Sequence, residues 1–338
     1  MKKLSKLLVI FICILFLCSC SGDKNVADKE KGSEEKTQQL KEDSKDSQIK
    51  IGVIQLSEHI ALERSFKGFE DTIKNEFPGA EIILKNASGD VTLVPTIVNN
   101  FKDENCSLIY AIATPAAQGA KNITKDIPIV FAAVTDPVSS GLVENLEEPE
   151  GNVTGVSDYI SVKMQLEEFL AVFPDTKKIG ILFSTNEANS KFQIEEAEKA
   201  AGDFGIEVVS MGVNSVNDVS TAMQSLKGQI DAFYCISDNL VASSAQVISK
   251  ILIDSKIPSF AAEEGPVENG ILLSNGVDYF ELGKKAGFMA EEILTGNPVK
   301  NVPVFTTGQS SKVVNQKTAE GLELSNLEDL LRDGKIIK

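Results

Sequence analysis

From Ile51 onward, short runs rich in Ile and Val alternate with longer segments in which apolar residues recur every three or four positions. The short runs predict buried strands, and the longer segments predict helices with one face turned to them. Strands are expected at Ile51–Gln55, Ala80–Leu84, Leu108–Ala113, Ile127–Ala132, Lys178–Phe183, Glu207–Met211, Ala232–Ile236, Ile257–Ala261 and Ile271–Ser274. Helices are expected at Leu62–Glu76, Leu93–Asp103, Met164–Phe173, Ser190–Phe204, Val219–Leu226, Leu240–Asp254 and Glu281–Leu294. Continuously apolar strands separated by helices predict parallel sheets covered on both faces. Two sheets of about five strands are favoured over a single large one. The chain therefore reads as an α/β protein of two doubly wound parallel-sheet lobes. Gly155–Tyr159, ahead of a long amphipathic segment, is the expected first crossing between them.

The polar residues fall where such a fold binds ligands, beyond the carboxyl ends of its strands. Ser57-Glu58-His59 follows the first strand, Thr114 to Gln118 the third, and Thr135-Asp136-Pro137 the fourth. In the second half, Ser184 to Ser190, Ser237-Asp238-Asn239 and Ala262 to Gly265 occupy equivalent places. One such cluster is no more than a helix cap. Six of them, drawn from both halves, predict a cleft between the lobes.

Helix amino termini carry unpaired N–H groups and partial positive charge, so Thr114 and Ser190 suit a carboxylate. Asp136 and Asp238 suit an ammonium group through charge-assisted hydrogen bonds, with Asp238 the first choice. Together they describe a pocket for a zwitterion such as an amino acid. Glu58, His59, Gln118, Asn189 and Glu263 complete the expected set of hydrogen-bonding groups. No phosphate-binding glycine loop is present, and Arg and Lys are absent from the clusters.

Composition narrows the function further. The chain has 33 Lys and Arg against 49 Asp and Glu, a formal charge of −16. No basic patch of the kind a nucleic-acid binder displays is evident. A single histidine argues against zinc chemistry built on several imidazoles. No activated nucleophile accompanies His59, so an enzyme is not expected, and neither is a cofactor or a metal.

The first fifty residues differ from the rest. Lys2, Lys3 and Lys6 precede the apolar run Leu7 to Leu17, too short for a bilayer span of about 20 residues, and this reads as an export signal over residues 1–20. Its end, Leu17-Cys18-Ser19-Cys20, resembles the bacterial lipobox, which makes Cys20 the expected site of lipidation. Residues 21–49 are polar and poor in aromatics, the composition of a solvated tether. Residues 1–20 carry +3 and residues 21–50 carry −1, leaving −18 on the body, so lipid rather than charge would hold the protein at a membrane. Cys106 and Cys235, the two remaining in the body, are expected to be separate buried thiols.

The loop sequences Glu58-His59-Ile60-Ala61-Leu62, Thr114-Pro115-Ala116-Ala117-Gln118, Val134-Thr135-Asp136-Pro137-Val138, Ser237-Asp238-Asn239 and Glu263-Glu264-Gly265 resemble those of an ABC-transporter substrate-binding lipoprotein family whose members bind tryptophan and tyrosine. Asn275 to Gly283 is similar as well. The resemblance runs from Ile51 to about Leu324 and implies the type I periplasmic-binding fold, with three hinge crossings and one enclosed ligand. The expected lobes are residues 50–158 with about 277–304, and 159–276 with about 305–338. It also implies a lipid-anchored, extracytoplasmic monomer that passes an aromatic amino acid, tyrosine favoured, to a permease and its ATPase. Phe131, Tyr159, Phe260 and Tyr279 are the candidate aromatic walls. The alternative is a surface-displayed interaction protein, an adhesin or ligand sensor.

Overall fold

The computed structural model describes residues 49–324, 330–332 and 334–338. The expected export signal, Cys20 and all of the tether but Ile49 lie outside the described residues. The body forms two sheets. The first has the order β11-β5-β4-β3-β1-β2, built from β1 (Lys50–Gln55), β2 (Glu81–Asn86), β3 (Leu108–Ile112), β4 (Ile129–Val134), β5 (Val153–Ser157) and β11 (Phe305–Thr306). The second has the order β13-β12-β10-β9-β8-β6-β7, built from β6 (Lys178–Ser184), β7 (Glu207–Val213), β8 (Ala232–Cys235), β9 (Ser259–Ala261), β10 (Leu273–Gly276), β12 (Ser311–Asn315) and β13 (Lys335–Ile337). Helices α1 (Ile60–Glu76), α2 (Val94–Asp103), α3 (Thr114–Ile123) and α10 (Tyr279–Leu294) pack on the first sheet. Among the helices of the second lobe are α4 (Val162–Val172), α5 (Ala188–Phe204), α6 (Val216–Leu226), α7 (Asn239–Ser243), α8 (Ala245–Asp254) and α9 (Gly265–Glu268). No described helix is long and apolar enough to cross a membrane.

The chain passes between the lobes three times, after β5, after β10 and after β11. The third passage comes later than the boundary near 304 read from the sequence. Phe305 pairs with Val156 and Thr306 with Ser157, so both residues belong to the first sheet. The segment expected only as a crossing is itself a strand: β5, of sequence Val-Thr-Gly-Val-Ser, is too polar to register as an apolar run, yet all five residues are buried. Thr154 is accommodated by donating its hydroxyl to the Val302 carbonyl at 2.7 Å. The sheets are otherwise parallel, but β12 runs antiparallel to β10, with Ser274 opposite Val313.

Each lobe has its own aromatic core. Phe69 stacks on Tyr110 with ring centroids 3.9 Å apart, and the buried Tyr110 hydroxyl pairs with Ser65 Oγ at 2.6 Å. In the other lobe Phe169, Phe260 and Tyr234 form a continuous stack at 4.3 Å spacings. Cys106 and Cys235 are buried free thiols.

α10 returns from the second sheet to lie against α1, and glycines set its distance. A methyl on Gly283 would run into the Ser65 carbonyl, and one on Gly68 into the Phe280 carbonyl; at Gly287 it would come 2.6 Å from Thr72 Cβ. Backbone faces backbone here, so neither helix can yield by turning a side chain. Gly283→Ala is expected to lower unfolding stability by about 1–3 kcal/mol or more; an unchanged denaturant midpoint would show that the two helices can separate freely.

Candidate ligand-binding cleft

The carboxyl ends of both sheets feed loops into one gap. Leu56 to Glu58, Ser88 to Thr92 and Pro115 form one wall of a cavity of about 640 Å³; Ser184, Asn186, Glu187, Asn214 to Val216, Asn239, Leu240 and Ser243 form the other. This volume lies within the ~300–1,000 Å³ usual for small-molecule sites. The lobes touch around it. His59 Nε2 lies 3.1 Å from Asn239 Oδ1, and Arg64 on α1 forms ion pairs with Glu264 and Glu268 across the gap.

Buried polar atoms in folded proteins nearly always have hydrogen-bond partners. Among the described residues, seven buried side-chain atoms have none within the protein: Ser57 Oγ, His59 Nδ1, Thr114 Oγ1, Asp158 Oδ1, Asn189 Oδ1, Glu263 Oε2 and Ser274 Oγ. Ser57, Thr114, Asp158 and Glu263 each come just after a strand's carboxyl end, Asn189 lies in the first turn of α5, and His59 is the residue before α1. Both lobes and the first crossing contribute. The hydroxyls of Ser57 and Thr114 stand on the first lobe and that of Ser274 within β10 of the second, while the acceptor oxygens of Asp158, Asn189 and Glu263 stand on the first crossing and the second lobe.

Burial also governs the charges. It lowers the His59 imidazole to about 4, against the opposing hydrogen bond to Asn239, so the ring is neutral. It raises the Glu263 carboxyl to about 8, helped by the nearby charges of Asp158 and Glu264 and opposed by Arg64. Burial raises Glu187 too, with the charge of Asp238 adding to the effect. The Glu187 carboxylate accepts from Asn189 Nδ2 at 3.1 Å and from Asn239 Nδ2 at 2.5 Å. Backbone strain marks the same edge: Ala113, at the end of β3, has φ 88° and ψ 150°, a conformation costly for any residue with a Cβ. It orients the amino terminus of α3.

Residues 50–336 match the family described as ABC transporter substrate binding protein. The chain belongs to that family. Over 330 residues it is 40% identical to the tyrosine-binding protein of Clostridioides difficile, covering 96% of this chain and 93% of that one. It resembles the structure of the ABC domain from Streptococcus pneumonia in complex with L-Trp, at TM-score 0.82 and 34% identity, over 86% of this chain and all of that one. A ligand-free, open substrate-binding protein with adhesive properties from Clostridium difficile superposes at TM-score 0.64, although it is 40% identical over 86% of this chain and 99% of its own. The more similar sequence gives the poorer superposition. The His59 and Arg64 contacts bring the two lobes of this substrate-binding protein together. The two α/β lobes are of the type I periplasmic-binding kind.

Against this geometry the nine residues chosen from sequence separate into two groups. Glu58 lies exposed on the cavity wall, 3.4 Å from Asn86 Nδ2. His59, Thr114, Asn189 and Glu263 all present unpartnered buried atoms. The other four are committed within the protein. Asp238 takes Ser184 N and Ser190 Oγ on one oxygen, both at 2.6 Å, and Val241 N on the other at 2.9 Å. Asp238 thus serves three donors of its own lobe and does not line the cavity, and Ser190 has spent its proton on it. Asp136 caps a turn through Val138 N and Ser139 N, and Gln118 donates to the Ser140 carbonyl.

The aromatic walls need the same correction. Phe131 and Phe260 are core residues, Tyr279 is buried with its hydroxyl on Asp158, and Tyr159 bonds Glu196 and packs edge-on to Phe192. Among the described residues no ring lines the cavity; its apolar surface comes from Leu56, Val91, Pro115, Val216 and Leu240. Ser57, Asp158, Glu187 and Ser274 were not singled out. Ser57 and Glu187 belonged to clusters already noted, but only burial without a partner or a cation distinguishes them.

Asp238→Ala strands Ser184 N, Ser190 Oγ and Val241 N, so it is expected to cost about 2–4 kcal/mol of stability in chemical denaturation. Wild-type stability in that variant would mean these groups find other partners. A pH effect follows from Glu263. The folded, ligand-free protein keeps this proton up to about pH 8, whereas the unfolded chain releases it near 4.5, so stability is lost as pH rises through that window. His59 acts in the opposite sense, but only between about 4 and 6.5. Between pH 6.5 and 8 the unfolding midpoint of ligand-free protein should therefore fall, and fall less in Glu263→Gln; parallel slopes would refute the assignment.

Proposed function

We propose that this substrate-binding protein captures a free aromatic amino acid between its lobes, tyrosine in preference to tryptophan, and delivers it to the permease of an ABC importer. The observation that carries this reading is the set of unpartnered polar atoms of Ser57, His59, Thr114, Asp158, Asn189 and Glu263, drawn from the loops of both lobes and the first crossing. They are of two complementary kinds. Ser57 and Thr114, with the amino terminus of α3, offer donors to a carboxylate. Asn189, Asp158 and Glu263 offer acceptors to an ammonium group. Glu58, His59 and Glu187 complete the proposed site. Glu187 lines the cavity and, beside its bonds to Asn189 and Asn239, would offer an acceptor to a phenol. The tyrosine-binding and L-Trp-bound relatives point to the same ligand class.

The proposed site of action is outside the cytoplasm, with the chain a monomer held to the membrane by lipid on Cys20. Adhesion is a second reading, favoured by the adhesive properties of the Clostridium difficile relative, and it is compatible with transport.

Screening the twenty amino acids by thermal shift, with mass spectrometry of whatever co-purifies, tests the ligand. Tyrosine and tryptophan should raise the unfolding midpoint, since ligand at 100 times Kd adds about 2.7 kcal/mol to stability. A sugar or an aliphatic amino acid giving the largest shift, with none from the aromatics, would overturn the proposal.

A further inference from the structure

We propose that Arg64 is a positioning residue for closure: it touches no ligand, but holds the two lobes together and so sets the affinity for every ligand by the same factor. Its side chain rises from α1 of the first lobe, and its partners, Glu264 and Glu268, stand at the two ends of α9 in the second. Nη1 goes to Glu264 and Nη2 to Glu268, one carboxylate for each nitrogen. None of the three residues lines the cavity between the lobes. Arg64 therefore bridges the gap beside the ligand space and outside it. Closure rather than recognition is at issue, so the identity of the ligand does not enter.

Both ends of this bridge are fixed within their lobes. α1 meets α10 backbone to backbone at Gly68 and Gly283, so the Arg64 backbone moves with the first lobe. On the other side, Asn315 Nδ2 donates to the Val267 carbonyl at 2.8 Å, which fastens α9 to β12. The two helices also approach closely here. A Cβ built on Gly265, the first residue of α9, would come 3.4 Å from the Ala61 nitrogen.

Charge gives the bridge its effect. Glu264 and Glu268 are four residues apart at one short helix, a spacing at which like charges repel, and the guanidinium between them offsets that repulsion. Parting the lobes would leave the Glu268 carboxylate without any partner among the described residues. The side chains of Arg64, Glu264 and Glu268 are 27%, 11% and 28% exposed, so water screens them less than it screens a surface ion pair. The other contact across the gap, His59 Nε2 to Asn239 Oδ1, joins an amide to a ring that burial keeps neutral. Salt weakens the first contact and spares the second. A ligand that needs both walls binds the closed arrangement, and its apparent affinity scales with the fraction of molecules closed.

Calorimetry of L-tyrosine and L-tryptophan on wild type, Arg64→Gln and Glu268→Gln, at low and high NaCl, tests the proposal, with thermal unfolding as the check on the fold. Arg64→Gln should weaken both amino acids by one common factor, about 3- to 30-fold, and leave their ratio within about twofold. Glu268→Gln should weaken both by a smaller common factor, and adding it to Arg64→Gln should cost little more, because the bond is already gone. High NaCl should weaken binding by wild type more than by Arg64→Gln. Unchanged affinities in Arg64→Gln, a loss confined to one amino acid, or equal salt dependence of wild type and Arg64→Gln overturns the assignment and leaves the ligand reading intact. Should Arg64→Gln unfold below the assay temperature, Glu268→Gln decides by the same criteria. Failure of wild type to bind either amino acid overturns the ligand reading alone. X-ray scattering from ligand-free protein then decides: Arg64→Gln should have the larger radius of gyration, and equal radii would refute the bridge.

Discussion

Closing two lobes over polar loops removes water from atoms that the protein itself leaves without partners, and the rest of the structure depends on that. Stranding a buried donor or acceptor costs about 1–3 kcal/mol, which makes a shut, empty cleft costly. In the proposed site, Ser57 and Thr114, with Asp158, Asn189 and Glu263, would make the loss recoverable by one molecule carrying both kinds of charge. Selectivity and closure then have a common origin, because a ligand lacking either end leaves one set of atoms unmatched.

Rigidity behind the gap makes this constraint effective. On the second lobe, Asp238 binds β6, α5 and α7 into one unit by receiving Ser184 N, Ser190 Oγ and Val241 N. Gln165 performs a similar task, taking the Tyr234 hydroxyl at 2.6 Å and donating to the Asn275 carbonyl at 2.7 Å, which ties α4 to the strand edge. On the first lobe the glycine contacts between α1 and α10 leave no slack. Three crossings join the two halves, the arrangement expected for closure about a hinge.

Much of this was legible in the chain. The apolar runs located most of the strands, because buried parallel strands need continuous hydrophobic sequence. β5 escaped as a strand because Thr154 and Ser157 are buried by means of hydrogen bonds rather than hydrophobicity. The registers of β4 and β10 moved toward the carboxyl end because Ile127 and Ile271 lead into their strands without joining the ladder. The site was half legible. Polar residues at strand ends announced a cleft, but sequence does not separate an acid that caps a helix from one that awaits a ligand. Asp238 and Glu187 lie in equivalent loops with equivalent chemistry. What tells them apart is that Glu187 lines the cavity and Asp238 does not, and that depends on folded geometry.

The contact between Arg64 and Glu264 reaches further than the cleft. Glu264 has its other oxygen 3.1 Å from the Lys335 ammonium on β13, the outermost strand of the second sheet. One acidic side chain therefore receives a cation from each lobe. Anything that displaces β13, such as proteolytic trimming or an appended purification tag, would change how strongly Glu264 attracts Arg64, and with it the ease with which the two halves part.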